Sequence, residues 1–141
     1  MTSDGDGQAV EVRLPDDEFE ARLNLLGRHN ASNALAAASV GWACGCSPEE
    51  IRAGLQRVEA QPGRLQVRAG ARGSTLIDDT YNANPTSLKA AMRALAARPG
   101  RKALVLGDMA ELGTRAEEFH TEAGREARQA GIELLFTCGP L

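Results

Sequence analysis

Between Leu76 and Phe136 the chain twice passes from a short apolar run, through a polar loop, into an amphipathic helix, and each time returns to another apolar run. Few folds accommodate that order. Strand–helix–strand–helix–strand spacing makes a parallel sheet with right-handed crossovers, the α/β arrangement. The strands are Thr75-Leu76-Ile77, residues 103–106 and Leu134-Leu135-Phe136. Pro85 opens the first helix, whose Leu88, Ala91, Met92 and Leu95 fall at i, i+3, i+4 and i+7, and Pro99-Gly100 ends it. Thr114 and Glu117 have capping-box spacing and predict a second helix that runs to about Ala130, before Gly131. The unbroken apolar run at 103–106 predicts a central strand covered on both faces. A sheet that stops mid-pattern after Phe136 leaves an apolar edge, which implies a piece of a larger domain.

The preceding half reads differently. Residues 1–8 are polar and Gly-rich and are expected to be disordered or part of a loop. Val10, Val12 and Leu14 alternate with polar neighbours up to Pro15, and residues 19–26 alternate again, which predicts a hairpin closed by Gly27. From Asn30 to about Cys44 the period is helical, with Leu35 and Ala38 on one face beside Ala31 and Ala34. Ser47-Pro48-Glu49-Glu50 combines a cap, a first-turn proline and a reciprocal acid, so a helix should follow to about Glu59, burying Ile51, Leu55 and Val58. Gln61-Pro62-Gly63 breaks it and marks a boundary between residues 1–62 and 63–141; Leu65 and Val67 then begin a further strand.

Composition excludes several classes of function. Hydrophobic residues make up 43% and charged residues 25%, so a core can form, but with 4% aromatics it must be built from aliphatic side chains. No basic block interleaved with aromatics accompanies the net charge of −3, which argues against nucleic-acid binding. Cys44, Cys46 and Cys138 are odd in number and lack C-x-x-C spacing, so neither a disulfide framework nor zinc is indicated; three reduced, partly buried thiols are expected. No apolar run reaches the roughly 20 residues that span a bilayer. The acidic N-terminus is unlike a signal peptide, and the expectation is a cytoplasmic protein without membrane insertion.

Three polar clusters sit at strand-to-helix turns. In Gly27-Arg28-His29-Asn30-Ala31-Ser32-Asn33 the two asparagines are three apart and project from one side of a first helical turn. Their carboxamides could meet the edge of an adenine ring, although Asn30 as a simple helix cap explains the spacing more plainly. Asp78-Asp79-Thr80-Tyr81-Asn82-Ala83-Asn84-Pro85 follows a strand, at the carboxyl end where open α/β sheets bind ligands. Asp79 could hold ribose hydroxyls or a hydrated cation, whereas Asn84 before Pro85 is also a good cap. Adjacent aspartates repel unless one has a partner. Gly107-Asp108-Met109-Ala110-Glu111-Leu112-Gly113 has no Lys-Ser/Thr pair and no G-x-G-x-x-G spacing, so it is an ordinary connection with Asp108 facing the crevice. His120 and Glu117 share a helix face and read as solvated; Ser74, Ser87 and Cys44 lack the context of a nucleophile.

Gly27-Arg28-His29-Asn30 with Asn33-Ala34, Pro62-Gly63-Arg64, the string from Asp78 to Pro85, and Leu106-Gly107-Asp108-Met109-Ala110-Glu111-Leu112-Gly113 together resemble the Mur ligase family, in order and spacing over roughly residues 20–139. The string from Asp78 to Pro85 and the one from Gly107 to Gly113 resemble those members that add a D-alanyl-D-alanine dipeptide to a UDP-N-acetylmuramoyl-tripeptide. The Gly-x-His-Asn string is shared with folylpolyglutamate synthetases.

The resemblance implies a three-domain ligase, of which residues 1–62 are the C-terminal portion of the central ATP-binding domain. Residues 63–141 are then the N-terminal half of a truncated Rossmann-like parallel-sheet domain. It implies that Asn30 and Asn33 lie beside adenine with His29 as a neighbour, that Arg64 reaches the nucleotide, and that Asp79 contacts ribose. Asp108, Asn82 and Asn84 become walls of the dipeptide pocket. The implied chemistry is acyl-phosphate formation with ATP and Mg2+, followed by attack of the dipeptide amine. The family's phosphate loop, magnesium ligands and modified lysine are not in this chain, so no catalytic or metal residue is expected here and the isolated chain should be inactive. The turn at residues 27–33 and Asp79 are expected to face one cleft. Other Mur-type or folylpolyglutamate ligases, and a non-catalytic module of the same fold, are the competing readings; the string at residues 78–85 discriminates against the former.

Overall fold

The computed structural model describes residues 3–4 and 7–141 and falls into two compact units, Met1–Asp78 and Asp79–Leu141. In the first unit β1 (Ser3–Asp4), β2 (Gly7–Arg13) and β3 (Glu18–Leu23) form an antiparallel meander, with Gln8 opposite Leu23 and Arg13 opposite Glu18. The disorder expected over residues 1–8 is therefore not found at 3–4 and 7–8, which are paired strand; residues 1, 2, 5 and 6 lie outside the described residues. Alternation turns Val10, Val12, Ala21 and Leu23 to one face, where they meet α1 (Arg28–Ala43) and α2 (Pro48–Gln56) in a single apolar cluster.

Helix α1 meets this cluster with Ala31, Ala34 and Ala38, small side chains that allow its backbone close to the sheet. Leu35, expected on the buried face, flanks that stripe and is 42% exposed. The capping box before α2 forms as its spacing predicts: Glu50 N–H donates to Ser47 Oγ (3.3 Å) and Ser47 N–H to Glu50 Oε2 (2.8 Å). The helix nevertheless stops at Gln56, short of Glu59, and Val58 is exposed. At that end Asn24 Nδ2 donates to Gln56 O (2.9 Å), and Asn24 forms an isolated parallel bridge with Glu59.

Strands β4 (Gln66–Ala69) and β5 (Thr75–Asp78) form an antiparallel hairpin. Leu65, expected to start the strand, precedes it with a positive φ of 49° and a buried side chain.

In the second unit α3 (Pro85–Ala96), β6 (Ala103–Gly107), α4 (Ala116–Gln129) and β7 (Leu134–Cys138) follow in turn, and β6 pairs with β7 in parallel, Val105 opposite Phe136. The parallel crossover is as the spacing predicts. Among the described residues the parallel sheet has these two strands only, because the ladder of β5 is the antiparallel one with β4. Leu88, Met92, Leu106, Met109, Ala123 and Ala127 make the core. Coverage of β6 on both faces is not found: α3 and α4 pack on Leu106, while Val105 on the opposite face is 73% exposed beside an exposed Phe136.

The capping box expected at Thr114 is also absent. Thr114 lies in a 3-10 turn (Gly113–Arg115), Arg115 precedes α4 without a side-chain cap, and its guanidinium grips Glu118 at 2.7 and 2.8 Å. That hydrogen-bonded pair holds the Glu118 carboxyl below its ordinary range. The three cysteines are free thiols, exposed rather than partly buried.

Candidate functional site

At the first cluster, Gly27 is the residue preceding α1, with φ 88°. That left-handed value favours glycine. A side chain there would also strike the His29 ring, whose Cε1 lies 2.7 Å from where a Cβ would be. Gly27, not Asn30, occupies the cap position, so capping does not account for Asn30. Instead the Asn30 carboxamide Nδ2 donates back to Leu26 O at 2.8 Å, and its Oδ1 receives a long bond from Asn33 Nδ2 at 3.4 Å. The asparagines thus lean on each other along one side of the first turn, as three-apart spacing requires, with Asn33 and His29 exposed and Asn30 half-buried.

Behind the turn stands a residue that the sequence did not single out. Gln8, 3% exposed, sends Nε2 from β2 to Leu25 O (3.0 Å) and Gly27 O (2.9 Å). With two carbonyl oxygens facing it, that end of the amide has to be the nitrogen. Its partners are 17 and 19 positions away in sequence, beyond the reach of local pattern. Arg64 belongs to the same unit and is exposed.

The paired aspartates separate in role. The Asp78 carboxylate is 16% exposed and lies 3.5 Å from Arg68 Nη1 on the opposing strand of the hairpin. This partner answers the repulsion problem, and it makes Asp78 a brace of the hairpin. Asp79 is half-buried, and Asn82 is exposed. Asn84 precedes α3 in a reciprocal cap: Ser87 N–H donates to Asn84 Oδ1 (2.9 Å) and Asn84 N–H donates to Ser87 Oγ (3.0 Å). Asn84, a candidate for the dipeptide pocket, therefore has its carbonyl oxygen occupied by helix initiation.

The loop after β6 is held from α4. His120 Nε2 accepts the Met109 N–H at 2.9 Å and Nδ1 faces Ala116 O at 2.7 Å. An acceptor at Nε2 leaves the proton on Nδ1, where it donates to that carbonyl, so the ring is neutral and of one tautomer. The Asp108 carboxylate lies 4.0 Å from the same Nε2. This is not an ion pair, because the nitrogen nearest the carboxylate already serves as an acceptor, and the length exceeds a hydrogen bond. Asp108 Oδ1 instead accepts the Leu141 N–H at 3.2 Å, and its carboxylate abuts Gly139, where any Cβ would collide with it. His120, expected as a solvated helix residue, has a side chain only 8% exposed.

The structure thus gathers His29, Asn30 and Asn33 on one turn of the first unit, and places Asp79, Asn82, Asn84 and Asp108 in the second. A concavity of about 180 Å³ between α3 and α4, lined by Pro85, Leu88, Lys89, Phe119, Glu122 and Glu126, contains none of them.

Residues 63–141, more than half of the chain, match the Mur ligase, glutamate ligase domain, and the chain belongs to the Mur ligase family. Its relatives within that class are specific. It is 42% identical over 133 residues to the UDP-N-acetylmuramoyl-tripeptide–D-alanyl-D-alanine ligase of Escherichia coli (strain K12), across 94% of this chain and 29% of that protein. The corresponding ligase of Bacillus subtilis (strain 168) is 41% identical over 121 residues, across 84% of this chain and 26% of its own length. Among solved structures, a crystal structure of MurF from Acinetobacter baumannii superimposes with a TM-score of 0.88 at 35% identity, covering 95% of this chain and 29% of that one. MurF ligase from Thermotoga maritima in complex with ADP superimposes with a TM-score of 0.77 at 27% identity, covering 96% of this chain and 35% of that one. The chain therefore spans less than a third of the length of these two curated relatives.

Proposed function

We propose that this chain is part of an ATP-dependent ligase that adds D-alanyl-D-alanine to a UDP-N-acetylmuramoyl-tripeptide in peptidoglycan precursor synthesis. The observation that carries the reading is 42% identity over 94% of the chain to a ligase of that name, with the Asp-Asp-Thr-Tyr-Asn-Ala-Asn-Pro and Gly-Asp-Met-Ala-Glu-Leu-Gly strings both intact. Residues 1–62 then close the central ATP-binding domain, and residues 63–141 begin the C-terminal one. The matched domain model starts at residue 63, in keeping with that border.

In this reading a substrate carboxylate attacks the γ-phosphate of ATP, releasing ADP and forming an acyl phosphate, and the dipeptide amine then attacks the acyl carbon and displaces phosphate. The residues of this chain bind and orient rather than transfer protons. Asn30 and Asn33 meet the adenine edge with their carboxamides, His29 lies beside them, and Asp79 accepts from the ribose hydroxyls. The Arg64 guanidinium can grip phosphate oxygens in a bidentate manner. Asp108 offers a carboxylate to the dipeptide's ammonium and Asn82 an exposed amide. Asn84 acts through its cap, since its oxygen is engaged there. Mg2+ would neutralise phosphate charge in such a reaction, and this reading assigns its ligands to the rest of the ligase.

The reaction is placed in the cytoplasm, where nucleotide-linked precursors and reduced thiols are compatible. Three free cysteines agree with this, and among the described residues no helix is long and apolar enough to cross a membrane. Its partners are small molecules and the remaining domains of the same ligase. The test is the full reading frame that encodes this segment, assayed for phosphate release with ATP, UDP-N-acetylmuramoyl-tripeptide and D-alanyl-D-alanine. Turnover with the dipeptide and none with D-glutamate or a folate acceptor is expected; the opposite preference would overturn the assignment.

A further inference from the structure

Gln8, 3% exposed, is a buried polar side chain on a strand whose other inward positions are Val10 and Val12. A carboxamide in such a place is costly unless fully bonded. Its Nε2 is bonded twice, to Leu25 O and Gly27 O, and the carbonyl between them, Leu26 O, is taken by Asn30 Nδ2. Three consecutive carbonyls leading into α1 are thus each held by a side-chain amide, two of them by one residue from another strand. Gly27 can then keep its positive φ and α1 can begin there, which sets the rotation of Asn30 and, through the Asn33 Nδ2 bond to Asn30 Oδ1, of Asn33.

We propose that Gln8 is the positioning residue of the adenine-side turn: it orients the Asn30–Asn33 pair for the nucleobase without touching the nucleotide. The inference rests on the assignment of that pair to adenine. Gln8→Glu keeps the length and shape of the side chain but aims a carboxylate oxygen at two carbonyls. Gln8→Met keeps the length and removes the donor without adding charge.

The experiment measures KM for ATP, KM for D-alanyl-D-alanine and the preference for ATP over GTP in the full ligase, at a temperature where melting curves show every variant folded. Asn33→Ala serves as the reference. Loss of one or two bonds that act only through nucleotide orientation should raise the KM for ATP by about tenfold in Gln8→Glu and less in Gln8→Met. Preference for ATP should fall in parallel and the dipeptide KM should stay within about twofold of the unmodified enzyme. A merely structural Gln8 would lower the melting temperature and leave the ratio of the two nucleotides unchanged, which overturns the inference. An unchanged ATP KM in both Gln8 variants beside a raised one in Asn33→Ala also overturns it, and leaves the adenine assignment standing. An unchanged value in Asn33→Ala as well overturns the assignment and the inference with it. If Gln8→Glu does not fold, Gln8→Met decides by the same criteria.

Discussion

Replacing His120 by leucine removes one hydrogen bond acceptor from the interior of the second unit, and the cost can be worked from its neighbours. The Nε2 lone pair accepts the Met109 N–H at 2.9 Å, and Met109 is 2% exposed, so water does not readily replace the lost acceptor. A buried N–H left unsatisfied costs about 1–3 kcal/mol. On the other side of the ring, Ala116 O loses the Nδ1 proton but opens α4, where the helix's own ladder supplies a donor four residues on. That loss should add little, and the leucine side chain retains most of the apolar contact. The expected destabilisation of the second unit by His120→Leu is therefore about 2 kcal/mol. His120→Gln places an amide oxygen near the position of Nε2 and should recover most of it. The assay combines urea denaturation with hydrogen exchange at the Met109 amide and long-range nitrogen–proton spectra of the imidazole. Protection at Met109 should vanish in His120→Leu and return in His120→Gln, and the native ring should carry its proton on Nδ1. A ring protonated on Nε2, or a His120→Leu protein within about 0.5 kcal/mol of the native one, would show the reasoning wrong.

Other consequences follow from the same packing. Met92, 2% exposed in the core of the second unit, should lose about 3 kcal/mol on truncation to alanine, read as a lowered urea midpoint with unchanged slope. Glu50 is held below the ordinary glutamate range first by the Ser47 backbone N–H and then by its hydroxyl. Its folded-state pKa is thus the lower one, so its stabilisation is present above the unfolded value and lost as pH falls through the folded value. The melting gap between the native chain and Glu50→Ala should accordingly be open at pH 7 and close on acidification; a gap that widens in acid contradicts the cap. The 141-residue chain carries no G-x-x-x-x-G-K-S/T loop, and by itself it should release no phosphate and show no micromolar affinity for ATP by titration calorimetry.

Much of the fold was legible because its signals are local. Ser47 with Glu50 and Asn84 with Ser87 each place donors and acceptors three residues apart, and both reciprocal caps form. The strands β6 and β7 follow from short continuous apolar runs. Thr114 shows the limit of the same rule: its spacing to Glu117 is right, but the residues before α4 close a 3-10 turn first and shift the helix start to Ala116.

The order of elements, their hydrophobic period and the motif strings were written in the chain itself, since each depends on side chains within a turn or a strand of one another. What covers a face was not. Val105 reads as apolar whether or not a helix lies over it, and Leu35 has the right period for a core it does not enter. The working parts of the candidate site divide along the same line. Asn30 and Asn33 announce themselves by three-residue spacing, but Gln8 and His120 acquire meaning only when tertiary structure brings Gly27 O to one amide and the Met109 N–H to one imidazole nitrogen. A hydrogen bond between distant segments has no period, and its energy is set by the burial that folding creates around it.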